Sequence, residues 1–319
     1  MFFYILMIII GFVLLVLGAE LLVRGASNIA KKFHITEMLI GLTIVAIGTS
    51  APELIITITS ANSGATDLII GNAIGSNLCN LLLILGLMAI IHPIIIDKEV
   101  RKIHLPIAIL APIILLIMEI LQIRSEQFNL DKADGIILII LFELYFLYPI
   151  IKEIKGIVKT IKEDNEKTSN INLFKSIFIF IVGVILLKYG GDFVVDNATN
   201  IAEQLNVPER VIGLTIIAIG TAMPELVTSI IAVLKKDTDL AVGNLVGSCI
   251  FNIFLILGVG ASITQLEFST EFNQNLILLI VSTFIVWLFN FIGKKNVLTR
   301  SKGFILLLIF GVYILKLFV

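Results

Sequence analysis

One apolar stretch of the sequence occurs twice, and each copy ends in Pro-Glu. Residues 41–53 read Gly-Leu-Thr-Ile-Val-Ala-Ile-Gly-Thr-Ser-Ala-Pro-Glu, and residues 213–225 repeat them with three changes. Proline removes a backbone donor and disfavours helical geometry in the residue before it, so both copies predict a helix that breaks inside an apolar segment. A carboxylate at membrane depth is costly and is seldom kept there without a role. The duplication therefore predicts two broken helices, each with a functional glutamate.

The chain is too apolar for a water-soluble globular domain. Its 319 residues are 58% hydrophobic with a mean hydropathy of +1.07, whereas ordinary domains are about 45–50% apolar. A membrane-spanning helix needs about 20 mostly apolar residues. The sequence predicts ten such spans, at residues 2–23, 38–61, 68–93, 103–122, 134–151, 173–195, 210–234, 240–264, 274–293 and 303–318. The predicted fold is an all-α integral membrane protein.

The duplication covers more than the Pro-Glu segment. At an offset of 172 residues, residues 41–61 match 213–233 at 12 of 21 positions, and residues 71–87 match 243–259 at 9 of 17. The repeat unit therefore contains five helices. Because five is odd, the second copy has to enter the membrane from the opposite side, which predicts two inverted-topology repeats with discontinuous helices 2 and 7.

Charge distribution predicts the orientation of these repeats. We divide the chain into a first repeat at residues 1–151, a polar linker at 152–172 and a second repeat at 173–319. Of the 23 lysines and arginines, 18 lie in the connections that follow odd-numbered spans. Connections rich in basic residues face the cytoplasm. We therefore expect a multi-pass protein of the cell membrane, with a cytoplasmic linker and both termini on the extracellular or periplasmic side.

Polar side chains accompany both predicted breaks. Thr49 and Ser50 precede Glu53 by four and three residues, so all three can share one helix face. The second copy has Thr221 and Glu225 at matching positions. The break should also free backbone carbonyls from residue 46 to residue 49, which a membrane protein tolerates only where they line a cavity or coordinate an ion.

The span after each break carries a polar stripe at i, i+4 and i+8. The stripes consist of Asn72, Ser76 and Asn80 in the first half, and Asn244, Ser248 and Asn252 in the second. Interleaved glycines, Gly71 with Gly75 and Gly243 with Gly247, predict close helix packing, through which each stripe should reach the broken helix of its own repeat.

These groups form an all-oxygen cluster. Hard cations such as Ca²⁺ prefer about six to eight oxygen ligands, and the absence of His and Cys argues against zinc or copper. Two glutamates would balance one Ca²⁺ or two Na⁺. The alternatives are that the glutamates are protonated or cap the broken backbone, and that Asn72 and Asn244 only join helices by hydrogen bonds.

The residues leave three functions open: a Na⁺-driven Ca²⁺ antiporter, a H⁺/Ca²⁺ antiporter and a passive cation channel. The spans lack a Ser-His or paired-aspartate arrangement, so we do not expect an enzyme. No basic patch indicates nucleic-acid binding, and no cofactor or protein partner is implied. The expected partners are the transported ions Ca²⁺ and Na⁺ and the lipid bilayer.

Two motif pairs resemble the alpha-repeats of the sodium/calcium exchanger family, within the cation/Ca²⁺ exchanger superfamily. They are Gly48-Thr-Ser-Ala-Pro-Glu53 with Gly71-Asn-Ala-Ile-Gly-Ser-Asn77, and Gly220-Thr-Ala-Met-Pro-Glu225 with Gly243-Asn-Leu-Val-Gly-Ser248. The resemblance, to a short prokaryotic member, implies Ca²⁺ efflux driven by Na⁺ entry through alternating access, with helices 1 and 6 sliding against the other eight. It maps ion ligands onto Thr49, Ser50, Glu53, Ser76, Asn80, Thr221, Glu225 and Ser248, and Na⁺-binding backbone oxygens near Ala46 and Ala218.

The chain departs from the family pattern at two positions. Asn252 stands where many members have an aspartate, and Ala222 where many have a hydroxyl. We keep Asn252 among the expected ligands. Asparagine at this position is reminiscent of proton/calcium exchangers, but those relatives usually lack the Thr-Ser-x-Pro-Glu form, so Na⁺ remains the favoured counter-ion.

Overall fold

The computed structural model describes residues 2–121, 128–160, 172–205, 218–268 and 270–317, and most of them are helical. The helices are α1 Phe2–Phe33, α2 Glu37–Thr49, α3 Ala51–Ser63, α4 Thr66–Ile91, α5 Leu105–Leu121, α6 Lys132–Thr160, α7 Leu173–Gln204, α8 Ala218–Thr221, α9 Met223–Leu234, α10 Thr238–Ile263, α11 Thr270–Leu288 and α12 Arg300–Leu317. The strands are β1 Ile94–Ile95, β2 Phe128–Leu130, β3 Leu266–Phe268 and β4 Val297–Leu298.

Helix occupies most of the described part of every predicted span. Within the described ranges, six helices are long and apolar enough to cross a membrane, and the bent pair α2–α3 makes a seventh if it counts as one span. Residues 210–217, which open the predicted seventh span, and residues 161–171 of the predicted linker lie outside the description. The chain is a multi-pass membrane protein.

Several helices are longer than the apolar segments that predict them. The predicted spans end at residues 23, 151 and 195, whereas α1 continues to Phe33, α6 to Thr160 and α7 to Gln204. Hydropathy marks only the part of a helix that is apolar, while the end of the helix depends on where the backbone turns away. After α1 this occurs at His34, whose φ of 54° is left-handed. The first residues assigned to the linker therefore continue α6.

Both predicted helix breaks are present. Ser50, with φ −87° and ψ 8°, separates α2 from α3, and the two helices bend by 44°. Ala222, with φ −85° and ψ 3°, separates α8 from α9 in the same way. In each case the proline lies in the first turn of the second helix, where its missing N–H interrupts no intrahelical bond.

The long helices α1 and α7 are in backbone contact through glycines spaced seven residues apart. A Cβ added at Gly18 would lie 2.8 Å from the amide nitrogen of Leu187 and 2.9 Å from the carbonyl oxygen of Gly183. A Cβ at Gly11 would lie 2.9 Å from the carbonyl oxygen of Gly190. Small residues let helix backbones approach closely inside a membrane protein. The result is a closely packed glycine seam between the first helices of the two halves.

The two halves of the sequence exchange their last elements. Strand β1, which follows α4, pairs antiparallel with β4, which precedes α12. Strand β3, which follows α10, pairs with β2, which precedes α6. The helices follow the same exchange, since α12 packs on the end of α4 and α6 packs on the end of α10. Each half therefore completes its packing with a strand and a helix of the other.

The glycines of the second polar stripe also pack between the halves. A Cβ at Gly243 would lie 2.6 Å from the carbonyl oxygen of Met38, and one at Gly247 would lie 2.6 Å from that of Leu42. Both contacts are with α2, so the packing interpretation is confirmed for this pair. The corresponding glycines of the first half are Gly71 and Gly75. The segment that corresponds to their expected partner is residues 210–217, which lies outside the described residues.

We expect Gly18→Ala to lower the free energy of unfolding by about 1–3 kcal/mol, because the new methyl group overlaps backbone atoms of α7 that cannot rotate away. Thermal unfolding in detergent measures the loss. Gly311→Ala is the matched control, since none of the described atoms lies within 4 Å of a Cβ there and alanine is a better helix former. Equal effects of the two substitutions would contradict the tight seam.

Candidate cation site

Two buried glutamates form the centre of the site. Glu53 lies in the first turn of α3 and Glu225 in the first turn of α9, and each residue is 1% exposed. The Oε2 atom of each is buried and has no hydrogen-bond partner within the described ranges. Helix N-termini favour negative charge, but an unpaired buried carboxylate oxygen is costly, so the pair is suited to a cation.

Ser50 joins the first helix break to the second half of the chain. Its Oγ lies 3.0 Å from Oε1 of Glu225 and 3.1 Å from Oγ of Ser248, and all three residues are buried. We expected each polar stripe to reach the broken helix of its own repeat. Asn244 does so, because its Nδ2 donates to Ser229 on α9, but the hydrogen bonds of Ser248 and Asn244 to the first break run between the repeats. The reason is the tight packing of α10 against α2 at Gly243 and Gly247.

Asn244 connects the first break to α9 of its own half. Its Oδ1 accepts a hydrogen bond from Oγ1 of Thr49 at 3.0 Å, and its Nδ2 donates to Oγ of Ser229 at 3.3 Å. Both ends of this amide are engaged with protein groups. The alternative in which Asn244 joins helices therefore fits the structure better than a ligand role.

The carbonyl of Ala46 is not freed by the helix break, which corrects the sequence-based expectation. It accepts hydrogen bonds from the Ser50 amide at 2.9 Å and from the Thr49 hydroxyl at 3.3 Å. The physical reason is that the last turn of α2 is completed before the chain bends. The carbonyl that lacks an amide four residues on is that of Gly48, because that position is Pro52. Ala218, the repeat counterpart of Ala46, is the first residue of α8.

Asn80 and Asn252 lie in π-helical turns, which the sequence did not predict. The turns span Cys79–Ile84 in α4 and Asn252–Ile256 in α10. Such turns are rare and frequent at functional sites. Each asparagine is 1% exposed, and its Oδ1 is buried without a hydrogen-bond partner among the residues that the structure describes.

The two π-helical turns pack against the glutamate helices of the opposite halves. The turn with Asn80 contacts α9, which carries Glu225, and the turn with Asn252 contacts α3, which carries Glu53. Ser76 is buried one helical turn before Asn80. Thr221 is partly buried at the end of α8, beside the second break. Direct hydrogen bonds at the first break join Ser50 with Glu225 and Ser248, and Thr49 with Asn244. Asn80 and Asn252 lie in turns that pack against the glutamate helices.

Three buried polar residues near the site were missed in the sequence. Thr57 and Ser229 each follow a glutamate by four residues, are repeat counterparts and are fully buried. Their i+4 spacing from the glutamates could have revealed them. Asn77 hydrogen-bonds to Asn252. The sequence could have indicated Asn77 as a position where the two repeats differ, because its counterpart is Cys249.

Comparison with known proteins gives matches over the whole chain. The family described as "Sodium/calcium exchanger protein" matches residues 3–151 and 175–319. The inner membrane protein YrbG of Escherichia coli is 34% identical over 88% of this chain and 88% of its own. The sodium/calcium exchanger MaX1 of Methanosarcina acetivorans is 28% identical over 98% of both chains. A solved structure of the sodium-calcium exchanger NCX_Mj superposes with a TM-score of 0.83 and 31% identity, covering 98% of this chain and 97% of that one.

We expect Ser50→Ala to lower the free energy of unfolding by about 1–3 kcal/mol, because Oε1 of Glu225 then loses the hydroxyl that donates to it. Thermal unfolding in a buffer without Na⁺ or Ca²⁺ measures this change. Ser63→Ala, at the other end of α3, is the control, since the hydroxyl of Ser63 donates to the backbone carbonyl of Ser60, and its effect should stay within about 0.5 kcal/mol. Unchanged stability in Ser50→Ala would contradict the connection.

Proposed function

We propose that the chain is a secondary active antiporter that exchanges Ca²⁺ for Na⁺ across the cell membrane. The premise is its family, since the chain belongs to the sodium/calcium exchanger protein family. The family consists of transporters, so the chain is a membrane transporter and not an enzyme. Ca²⁺ and Na⁺ are its substrates rather than resident cofactors.

The observation that carries the proposal is the pair of buried glutamates whose Oε2 atoms lack partners in the described part of the chain. Two negative charges in an apolar bundle need two positive charges, which one Ca²⁺ or two Na⁺ supply. Hydroxyl and amide oxygens around them provide the neutral ligands that Ca²⁺ requires. The proposed ligands are the side chains of Thr49, Ser50, Glu53, Ser76, Asn80, Thr221, Glu225, Ser248 and Asn252, with the backbone oxygens of Ala46 and Ala218.

The backbone oxygen of Ala46 would bind Na⁺ by exchanging one of its present bonds. The hydroxyl of Thr49 has one hydrogen, and two acceptors lie within reach, namely the Ala46 carbonyl at 3.3 Å and Oδ1 of Asn244 at 3.0 Å. If the hydroxyl donates to Asn244, its own lone pairs and the Ala46 carbonyl both become available to a cation. Rotation of the Thr49 hydroxyl hydrogen would then make two ligands available, the hydroxyl oxygen itself and the Ala46 carbonyl.

Electrostatics explains why the two ions must alternate. A site holding two uncompensated carboxylates is costly to move across the hydrocarbon region, whereas a neutralised site is not. The protein would therefore reorient with either Ca²⁺ or Na⁺ bound and resist reorienting when empty. This difference couples Ca²⁺ efflux to Na⁺ entry without any chemical step.

Alternating access would use the ten spans as two inverted repeats, with both termini outside the cell. The exchange of strands and helices between the halves supports a two-fold relation between them. The glycine seam supports a motion of α1 and α7 as one pair against the other helices, because the backbones of the two helices are in direct contact along it.

One end of the sliding pair is tied to the second half by side chains. Oγ of Ser27 donates to Oδ2 of Asp237 at 3.1 Å, and Nζ of Lys235 lies 3.6 Å from the carboxylate of Glu20. By the charge distribution this end is cytoplasmic. The repeat counterpart of Asp237 is Ala65, whose side chain cannot accept a hydrogen bond. These contacts support a gate that has to release polar links on the cytoplasmic side.

A flux experiment tests the proposed function. Vesicles containing the purified protein should take up ⁴⁵Ca²⁺ when they are loaded with Na⁺ and diluted into Na⁺-free buffer, because outward Na⁺ movement drives Ca²⁺ inward. Uptake that depends on a pH gradient instead would assign the protein as a H⁺/Ca²⁺ antiporter. Uptake without any counter-ion gradient would indicate a channel.

We expect Glu53→Gln and Glu225→Gln each to lower exchange by at least about 100-fold, because each leaves Ca²⁺ with one uncompensated charge in a buried site. The same vesicle assay measures the loss, and thermal unfolding confirms that the variants fold. Glu267→Gln, in the exposed part of β3, is the control that should keep exchange at the wild-type rate. Near-normal transport by either buried variant would exclude the two-glutamate site.

A further inference from the structure

We propose that Asn77 is a positioning residue that holds the side-chain oxygen of Asn252 toward the candidate cation site. The proposal rests on the proposed function, since Ca²⁺ is the ligand it concerns. Asn77 lies on α4 and Asn252 on α10, in opposite halves of the chain, and each is 1% exposed. Nδ2 of Asn252 donates to Oδ1 of Asn77 at 3.0 Å, and Nδ2 of Asn77 donates to the backbone carbonyl of Cys249 at 3.0 Å.

The carbonyl of Cys249 determines the direction of both amides. A backbone carbonyl can only accept a hydrogen bond, so the amide nitrogen of Asn77 has to face it. Oδ1 of Asn77 then faces Asn252, and the only complementary group that Asn252 can present is its own amide nitrogen. Oδ1 of Asn252 is therefore turned away from Asn77.

That outward-turned oxygen has no other use within the described part of the protein. Oδ1 of Asn252 is buried and without a hydrogen-bond partner there, as are Oδ1 of Asn80 and one carboxylate oxygen each of Glu53 and Glu225. A buried polar atom left unpaired is costly, so four such oxygens around two helix breaks indicate a shared ligand. The π-helical turn that begins at Asn252 contacts α3, the helix of Glu53. Asn77 thereby supplies the site with a neutral oxygen of defined orientation.

The internal repeat supplies this positioning amide in one half only. The residue that corresponds to Asn77 is Cys249, which has no amide. An asparagine has one oxygen and depends on its orientation to act as a ligand, whereas an aspartate has two equivalent oxygens and presents one in either orientation. An aspartate at position 252 would also place its second oxygen against Oδ1 of Asn77, an unfavourable contact between two acceptors. Positions 77 and 252 should therefore be energetically coupled.

A double-mutant cycle tests this coupling. The variants are Asn77→Ala, Asn252→Asp and the double substitution, with Asn77→Leu as a second replacement of similar volume. Asn62→Ala is the matched control, because that asparagine is exposed and its amide donates to the carbonyl of Ile58 in its own helix. The half-saturating Ca²⁺ concentration and the maximal rate are measured by ⁴⁵Ca²⁺ exchange in vesicles. The rise in melting temperature with added CaCl₂ reports binding in the same purified proteins without requiring transport.

With Asn252 present, we expect Asn77→Ala to raise the half-saturating Ca²⁺ concentration about tenfold with little change in maximal rate, because the lost hydrogen bond frees the amide to turn. With aspartate at position 252, the same substitution should leave the Ca²⁺ requirement unchanged or lower it. Asn62→Ala should behave like the wild type.

An equal rise in both backgrounds would show that Asn77 only packs, and an unchanged Ca²⁺ requirement in Asn77→Ala and Asn77→Leu would also overturn the proposal. A wild-type protein that binds Ca²⁺ but shows no Na⁺-dependent flux would contradict the proposed function alone. The role of Asn77 would then still be decided by the double-mutant cycle measured through the Ca²⁺-dependent rise in melting temperature.

Discussion

Each half of the chain keeps a carboxylate inside an apolar bundle, and the helix break beside it makes this tolerable. Pro52 and Pro224 stand in the first turns of α3 and α9, immediately before Glu53 and Glu225. At these helix N-termini the backbone dipoles favour negative charge and offset part of the cost of burial. The remaining cost stays with the unpaired carboxylate oxygens. The hydroxyls and amides of the site surround these carboxylates, whose negative charge is not compensated by a described cationic side chain.

The two breaks form one centre because the halves are packed into each other. Glycines of α10 bring it against α2, and this contact places Ser248 and Asn244 within hydrogen-bond distance of Ser50 and Thr49. The exchanged strands and helices join the halves at the ends of α4 and α10 as well. The glycine seam between α1 and α7 brings the backbones of these two helices into direct contact and joins them as a pair. A transporter with a fixed site and a moving gate would require two such parts, namely halves that are packed into each other and a separate, closely packed helix pair.

The repeat is imperfect where the chemistry is concentrated. Ser50 connects to Glu225, but its counterpart Ala222 has no hydroxyl to offer Glu53. Asn77 orients Asn252, but its counterpart Cys249 contributes a backbone carbonyl instead. The two glutamates therefore have different neighbours, although they arise from the same motif. Such differences provide a physical basis for sites that bind different ions within one pseudo-symmetric cage.

The sequence by itself determined the features that depend on local chemistry. Apolar length predicted where the helices lie, and proline predicted the breaks at Ser50 and Ala222, because a missing N–H acts within one turn of its own chain. The duplicated motif also identified both glutamates. Helix ends were predicted less well, because α6 and α7 continue into polar sequence that hydropathy does not mark as helical.

Only the tertiary structure decided which groups meet. Ser50 and Glu225 are 175 residues apart, and so are Asn77 and Asn252, so their hydrogen bonds depend on how whole halves pack. The direction of the Asn252 amide has the same origin. A local pattern specifies the donors and acceptors that a segment carries, but the partner of each is chosen by long-range packing.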